Sequence, residues 1–252
     1  MFNIGKALAM IETVSIVMPA YNAGAFIVSS INSVLAQTYE DWKLYVIDDA
    51  SIDNTESLVL SFSDPRICYI RQVSNQGVSI ARNVGISAAQ GRYIAFLDSD
   101  DQWTENKLKS QLFMLENGYD VVCSNYSTFN NSIDSTISTR TFPSEFTYSD
   151  MLTGNKIGNL TGVYNQERIG KVFQHQVGHE DYIMWLDVMS RTSKCFCVQD
   201  NLAYYRVSEK SLSGNKFKAS LWQWNIYRKH LGLGVFKSAY YWHCYVFNAL
   251  VR

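Results

Sequence analysis

The chain has 252 residues, of which 47% are hydrophobic and 18% charged. At about 150 residues per domain, this is one large domain with an appendage, and its apolar content excludes a disordered chain. A net charge of −1 excludes a protein that grips a polyanion through bulk charge, and no nucleic-acid partner is expected.

Val14 to Met18 is a short apolar run ending at Pro19 and predicts a buried strand. Phe26, Ile27, Ile31, Val34 and Leu35 follow at helical spacing. Leu44 to Ile47 predicts a second strand, closed by Asp48 and Asp49. Asp53 is placed to cap a helix carrying Leu58, Val59 and Phe62. Ile67 to Ile70 predicts a third strand. Val78, Ala81, Val84 and Ala88 mark a helix, with Gly91 expected in the left-handed position after it. Tyr93 to Leu97 predicts a fourth strand that runs into Asp98. A helix through Leu108, Leu112 and Leu115 leads to a fifth strand, Val121 to Ser124.

This alternation predicts an α/β fold with parallel strands and right-handed crossovers. The ligand crevice of such a sheet lies beyond the carboxyl ends of its strands. Residues 126 to 150, rich in Ser, Thr and Asn, read as a loop. Asn159 to Asn165 is a candidate strand and Glu180 to Ser190 a candidate helix. Residues 216–231 and 233–251 read as two final helices.

Five scattered cysteines make a poor disulfide framework, and Cys195 and Cys197 fall on one face of a strand as small buried residues. No apolar run reaches the 18 or so residues of a membrane span, and no signal peptide is evident. A cytoplasmic location follows as the expectation. There is no Walker A sequence and no GxGxxG.

Asp98, Ser99, Asp100 and Asp101 stand where a buried strand opens into the crevice. Three carboxylates in four residues repel one another without a cation, and hard oxygen ligands suit Mg²⁺ or Mn²⁺. Asp101 alone is also a candidate helix cap. Asp48 and Asp49 close the neighbouring strand, either as turn residues or as acceptors for a nucleobase N–H. His175 and His179 are four apart and would share a face only on a helix, with no further zinc ligand nearby.

Several segments resemble family 2 glycosyltransferases. These are Val17-Met18-Pro19-Ala20-Tyr21-Asn22, Ser33-Val34-Leu35-Ala36-Gln37-Thr38 and Val46-Ile47-Asp48-Asp49-Ala50-Ser51-Ile52-Asp53. Asn75-Gln76-Gly77-Val78-Ser79-Ile80-Ala81-Arg82-Asn83 follows, and Gly91 to Asp101 contains an Asp-x-Asp motif. The match runs over roughly residues 13 to 115, with five motifs in order.

The resemblance implies the GT-A fold, a Rossmann-like mostly parallel sheet flanked by helices, with a C-terminal helical appendage. It implies a catalytic domain over residues 1–215, whose nucleotide-binding half is 13–125 and acceptor half 126–215, followed by the appendage 216–252. It implies a nucleotide-sugar donor, often UDP-linked. Pro19, Ala20 and Tyr21 would line the base pocket, with Asn22 beside them. Asp49 would bind the base, Arg82 would face the nucleotide, Asp98 would touch the ribose with Ser99 next to it, and Asp100 would hold Mn²⁺ or Mg²⁺. The segment Gly178-His179-Glu180-Asp181 resembles the family's Glu-Asp segment, so Asp181 matches the catalytic base. Glu180, Arg206 and Lys210 are candidates for diphosphate or acceptor contacts. The family's Tyr-Arg-x-His lacks its histidine here, with Ser208 near that place.

The implied activity is inverting hexosyl or N-acetylhexosaminyl transfer. The resemblance is to enzymes that build bacterial O-antigen or capsule chains on polyprenyl-diphosphate lipids. A nucleotidyltransferase acting on sugar phosphates remains an alternative. It would generally carry a Gly-rich phosphate loop with a basic residue near the first strand, which Pro19 to Ala25 lacks. A non-catalytic membrane- or sugar-binding module is a further alternative, and it would not need the ordered carboxylates.

Charge is unevenly spread. From Ala203 to Arg252 there are eight Lys and Arg against Glu209 alone, leaving a net −8 on residues 1–202. The tail interleaves its bases with Trp222, Trp224, Tyr227, Phe236, Tyr240 and Phe247. That pattern fits peripheral attachment to an anionic membrane surface on the cytoplasmic side, or helices packed on the catalytic domain or a homodimer partner.

Overall fold

The computed structural model describes residues 12–176, 178–207 and 216–251. Strands β1 (Val14–Ala20), β2 (Trp42–Asp48), β3 (Ile67–Arg71) and β4 (Tyr93–Phe96) alternate with helices α1 (Ile27–Leu35), α2 (Thr55–Leu60) and α3 (Val78–Ala88). β1 lies between β2 and β4 and is parallel to both, and β3 continues the parallel pairing outside β2. The chain therefore moves outward from β1 to β3, then crosses back to β4 on the other side. That reversal opens a crevice at the carboxyl ends of β1 and β4.

After β4 come β5 (Gln102–Trp103), α4 (Lys107–Glu116) and β6 (Val121–Phe129). β6 does not pair with β4 directly. The short strand β9 (Val163–Asn165) lies between them, antiparallel to each. β4 and β6 thus run in the same direction, as the sequence predicts. The inserted strand follows a turn of 3₁₀-helix, Asn159–Thr161, in the stretch read as one candidate strand.

Residues 126–150 are not a loop. β6 runs on to Phe129 and pairs with β7 (Thr136–Arg140), and the chain then forms β8 (Glu145–Phe146) and α5 (Tyr148–Met151). Ser127, Thr128, Thr136, Ser138 and Thr139 of this stretch are strand residues, and Asn125 just before it ties the sheet to the chain that follows. Asn125 accepts from the Phe142 N–H at 2.9 Å and donates to the Gln199 carbonyl at 2.7 Å. Thr128 shares a hydrogen bond with Ser138 across the pair. Buried polar groups with partners cost little, so hydropathy alone misleads here.

α6 (Gln166–Ile169) and α7 (Glu180–Met189) precede the long strand β10 (Cys195–Arg206), which is parallel to β6 and antiparallel to β5. Cys195 and Cys197 are buried on one face of β10, and all five cysteines are free. The chain closes with α8 (Lys216–Asn225), a turn of π-helix at Ile226–His230, and α9 (Val235–Val251).

The sheet buries both faces. Ile16 and Met18 of β1 point toward α1 and α4, while Val17 points toward α3 and α7. On the second face Phe96, Tyr164 and Trp185 form an aromatic cluster, Trp185 standing edge-on to both rings at 5.9 and 6.1 Å. Such pairs add about 0.5–1.5 kcal/mol each beyond their buried area. A Cβ at Gly162 would come within 2.2 Å of the Trp185 ring, so only glycine fits there.

Gly91 is not the left-handed residue that ends α3. Ala89 occupies the cap position, and Gly91 has no positive φ. Its role is close approach: a Cβ there would lie 2.8 Å from both the Glu12 carbonyl and the Ser15 amide. Similarly, Asn54 rather than Asp53 occupies the N-cap of α2, while Asp53 accepts from the Thr55 amide and hydroxyl.

The C-terminal helices pack onto the sheet domain along one side. Tyr227 is buried and donates to the Leu152 carbonyl, and Gln223 donates to the Tyr182 hydroxyl at 3.2 Å. No helix among the described residues is long and apolar enough to cross a membrane.

Candidate active site

A cavity of about 620 Å³ opens at the carboxyl ends of β1, β2 and β4. The sequence candidates Pro19, Ala20, Tyr21, Asn22, Asp49, Arg82, Asp98, Ser99 and Asp100 all line it. The register explains why. Ala20 is level with Asp48 and Val17 with Phe96, so the residues following three neighbouring strands meet at one edge.

One wall is a turn held by crossed hydrogen bonds. The Asn22 amide donates to the Ser51 hydroxyl at 2.9 Å, and the Asn22 side-chain oxygen accepts from the Ile52 amide at 2.9 Å. Asn22 and Ala50 both have positive φ, 48° and 61°. Two non-glycine residues in that region mark a backbone fixed by its surroundings. The turn leaves the Tyr21 ring 49% exposed at the cavity edge, free to cover a flat ligand.

The paired aspartates after β2 divide their work. Asp48 is fully buried and turned inward, accepting from the Ser51 amide and from Tyr69 and Arg71. Asp49 faces the cavity. Its carboxylate accepts from Gln72 Nε2 at 2.6 Å, the Gln76 amide at 2.8 Å and the Gly77 amide at 2.7 Å. These bonds fix the loop between β3 and α3 as one wall and aim Asp49 into the cavity.

At the other end, Arg82 of α3 reaches Asp98, with Nη2 to Oδ1 at 2.6 Å. Arg82 is 8% exposed and also donates to Gln174. Burial opposes its charge, but the Asp98 carboxylate outweighs it and holds the guanidinium above its ordinary pKa. Its buried Nε has no hydrogen-bond partner among the described residues. Removing one member of such a buried pair typically costs about 3–5 kcal/mol.

Burial, followed by the neighbouring Asp98, raises the Asp100 carboxyl above the ordinary range. Asp101 is buried and raised further, by burial and then by Asp98 and Asp100. It caps no helix. It accepts from the Arg206 amide at 2.8 Å, and its second oxygen has no partner among the described residues. This cluster suits a hard divalent cation. Among the described residues no group of three or more His, Cys, Asp or Glu is arranged to hold one alone. Mg²⁺-type sites use one or two carboxylates and take their remaining oxygens from phosphates and water, so Asp100 with a diphosphate fits that chemistry.

Arg206 serves as a latch. Its guanidinium packs 4.2 Å from the Phe26 ring and 4.4 Å from the Phe129 ring. Nε donates to the Asp100 carbonyl at 3.0 Å, and Nη1 donates to the Asn130 carbonyl. It thereby ties β10 and α1 to the Asp-x-Asp turn. Lys210 and Ser208 lie outside the described residues.

Glu180 and Asp181 open α7, where the helix dipole favours negative charge. Asp181 does not line the cavity itself but lies within the field of Arg82. Burial raises its carboxyl pKa, partly offset by Arg82, the Tyr182 amide and His179. A carboxylate so raised is a stronger base than one in water. Glu180 accepts from the Gly178 amide at 3.3 Å. His179 is the left-handed residue before the helix, with φ 54°, and His175 lies in the preceding segment. The two histidines therefore do not share a helical face.

Sequence reasoning missed Phe26, which lines the cavity, and Gln174, which bonds Arg82 and also the Asn83 side chain. Phe26 carried a weak signal as an apolar residue in a polar turn. Gln174 carried none, because its role depends on contacts 91 and 92 residues away in sequence.

The model of the family described as "Glycosyl transferase family 2" matches residues 15–170. An Escherichia coli relative, "UDP-Glc:alpha-D-GlcNAc-diphosphoundecaprenol beta-1,3-glucosyltransferase WfgD", is 40% identical over 84% of this chain and 84% of its own. The "Putative teichuronic acid biosynthesis glycosyltransferase TuaG" of Bacillus subtilis is 33% identical over 95% of this chain and 96% of its own. Among solved structures, S. aureus TarS 1-349 in complex with UDP-GlcNAc superimposes with a TM-score of 0.70. It is 18% identical, over 86% of this chain and 67% of that one, a likeness that supports the GT-A fold. The chain is a glycosyltransferase belonging to glycosyl transferase family 2.

Proposed function

We propose that the enzyme transfers a sugar, with inversion, from a UDP-sugar to a hydroxyl of a saccharide carried on a polyprenyl diphosphate. The observation that carries this reading is the meeting of two regions at Arg82. The guanidinium pairs with Asp98 at the donor cavity and its charge acts on Asp181 at the start of α7. Tyr21 would cover the uracil and Asp49 accept from its ring N–H, while Asp98 and Ser99 face the ribose. Asp100, with Asp98 adjacent, would hold Mn²⁺ or Mg²⁺. When bound, the ion neutralises charge on the leaving diphosphate.

Asp181 accepts the proton of the acceptor hydroxyl. The hydroxyl oxygen forms a bond to the anomeric carbon as the bond from that carbon to the diphosphate oxygen breaks on the opposite face. UDP leaves with the electron pair. Arg82 holds Asp181 ionised and keeps positive charge beside the departing phosphates. Glu180 is a candidate acceptor contact.

The names of the WfgD relative and of the UDP complexes support both substrates. Residues 1–215 would form the catalytic domain, with residues 13–125 for the nucleotide and 126–215 for the acceptor. Residues 216–252 would form the appendage. On α9, Phe236, Tyr240, His243 and Phe247 share one exposed face, and no acid occurs between residues 216 and 251. That face supports peripheral attachment to the anionic cytoplasmic side of a membrane, where the lipid-linked acceptor resides.

The test is Asp181→Asn, with transfer and UDP affinity measured side by side. Loss of a general base predicts transfer slowed by about 10²–10⁴-fold, with UDP bound as in the wild type. Near-normal transfer by this variant would remove Asp181 from the mechanism.

A further inference from the structure

A second cleft, of about 300 Å³, lies between α7 and the C-terminal helices. Its walls are Ile183 from α7, Trp222 and Asn225 from α8, and Ile226, Lys229 and His230 from the π-helical turn. Nothing in the donor cavity accounts for it. It reaches the N-terminus of α7, the turn that carries Asp181, through Trp222. Ile183 lies two residues beyond Asp181 and on another face of the helix. Trp222 stands edge-on to His179, the residue at the α7 N-cap, with ring centres 5.0 Å apart.

Four features give the cleft and its border a chemical character. Trp222 and Ile183 supply apolar surface beside the first turn of α7. Lys229 and His230 are exposed, and the His175 ring lies 4.9 Å from that of His230. The buried Nε2 of His179 has no hydrogen-bond partner among the described residues. The turn that presents Lys229 and His230 is a π-helix, a geometry that is rare and frequently found at functional sites.

We propose that this cleft is the subsite for the diphosphate of the acceptor, with Lys229 and His230 as its donors and Trp222 flanking the sugar. The inference rests on the proposed reaction, because a hydroxyl delivered to Asp181 fixes where the rest of the acceptor goes. In a glycosyl diphosphate the phosphates lie one sugar ring away from the reacting hydroxyl. Lys229 and His230 follow Trp222 by seven and eight residues along the α8 and π-helical run, while Trp222 itself touches the α7 N-cap residue. Charge-assisted donors in an otherwise apolar cleft select an anion over a neutral group of similar size.

The experiment is calorimetric titration of the full chain with two probes. One is N-acetylglucosamine α-linked through a diphosphate to a short alkyl chain. The other is the matching alkyl glycoside without the diphosphate. Wild type is expected to favour the diphosphate by about 10- to 100-fold, as one or two charge-assisted hydrogen bonds would give. Lys229→Ala/His230→Ala, at two exposed positions, is expected to lose that preference. The subsite is overturned if wild type shows no preference, or if the double variant keeps it. It is also overturned if the variant keeps the preference but no longer floats with phosphatidylglycerol vesicles, since the two residues would then serve the bilayer. UDP titration of the same wild-type sample reads the donor cavity separately. Absence of UDP binding would defeat the proposed reaction, while the ratio of the two probes would still report on the cleft.

Discussion

The first four strands and the region after residue 126 build their parts of the site in different ways. In the first, the aromatic and carboxylate side chains of the site stand within four residues of the end of a buried parallel strand. Tyr21 follows β1, Asp49 follows β2, and Asp98 and Asp100 follow β4. Local sequence therefore places them, and the register of β1 with β2 and β4 brings them together. In the second, the site depends on contacts across the chain. Arg206 is latched to Asp100, Gln174 to Arg82, and Trp222 lies against His179. The strand-end part of the site is read from short motifs, whereas the part after residue 126 is assembled by tertiary packing.

Substitutions should separate these two modes. The largest expected effect after loss of the base is at Asp100. Asp100→Ala should abolish Mn²⁺-dependent enhancement of UDP binding and slow transfer by about 10²–10³-fold, the scale of losing one charge-stabilising group. Calorimetry with and without Mn²⁺ checks it, and unchanged metal dependence would remove Asp100 from that role.

Next in size is the pH response. Because burial raises the Asp181 carboxyl, kcat/KM should fall as pH drops through a value above the ordinary aspartate range. Protonation then removes the acceptor of the hydroxyl proton. A profile that stays flat down to the ordinary carboxylate pKa would contradict the assignment.

The region after residue 126 should respond differently. Arg206→Ala removes two hydrogen bonds and two aromatic contacts around the Asp-x-Asp turn. A loss of about 1–3 kcal/mol of stability is expected, together with a higher KM for the donor, and Arg206→Lys should recover only part of it. Chemical denaturation and donor kinetics report both. The smallest effect on chemistry should come from Phe236→Ser/Phe247→Ser. Flotation with anionic vesicles should weaken, while transfer to a short-chain soluble acceptor stays as in the wild type.

The same contrast explains what was legible in the amino-acid sequence. The strands β1 to β4, α1, α3 and α7 follow from apolar runs and helical spacing, because each buries a continuous face. The direction of β6 was also legible. β9 was legible as the second half of the candidate strand Asn159 to Asn165, whose first half is a 3₁₀ turn, but β5 was not, because two residues carry no periodicity and their pairing is set by a distant partner. The stretch 126–150 misled because its strands carry polar side chains, with β7 exposed along its length and Ser127 and Thr128 bonded across to it. Gly91 was recognised as special for the wrong reason. It is required by the approach of the Glu12–Ser15 backbone rather than by a left-handed turn. Among site residues, the carboxylates were visible as clusters at strand ends. Gln174 and Trp222 were invisible, since nothing in their neighbours in sequence points to Arg82 or His179.

The central claim is that the edge formed by Tyr21, Asp49 and the Asp98–Asp100 turn takes a UDP-sugar and gives up its sugar. The most direct measurement is consumption of a panel of nucleotide-sugars by the full chain in Mn²⁺, with released nucleoside diphosphate as the readout. The account predicts UDP release from one or more UDP-sugars, faster with a lipid-diphosphate acceptor, and little from ADP- or GDP-sugars. Release of pyrophosphate from a nucleoside triphosphate and a sugar phosphate, with no UDP-sugar consumed, would contradict it.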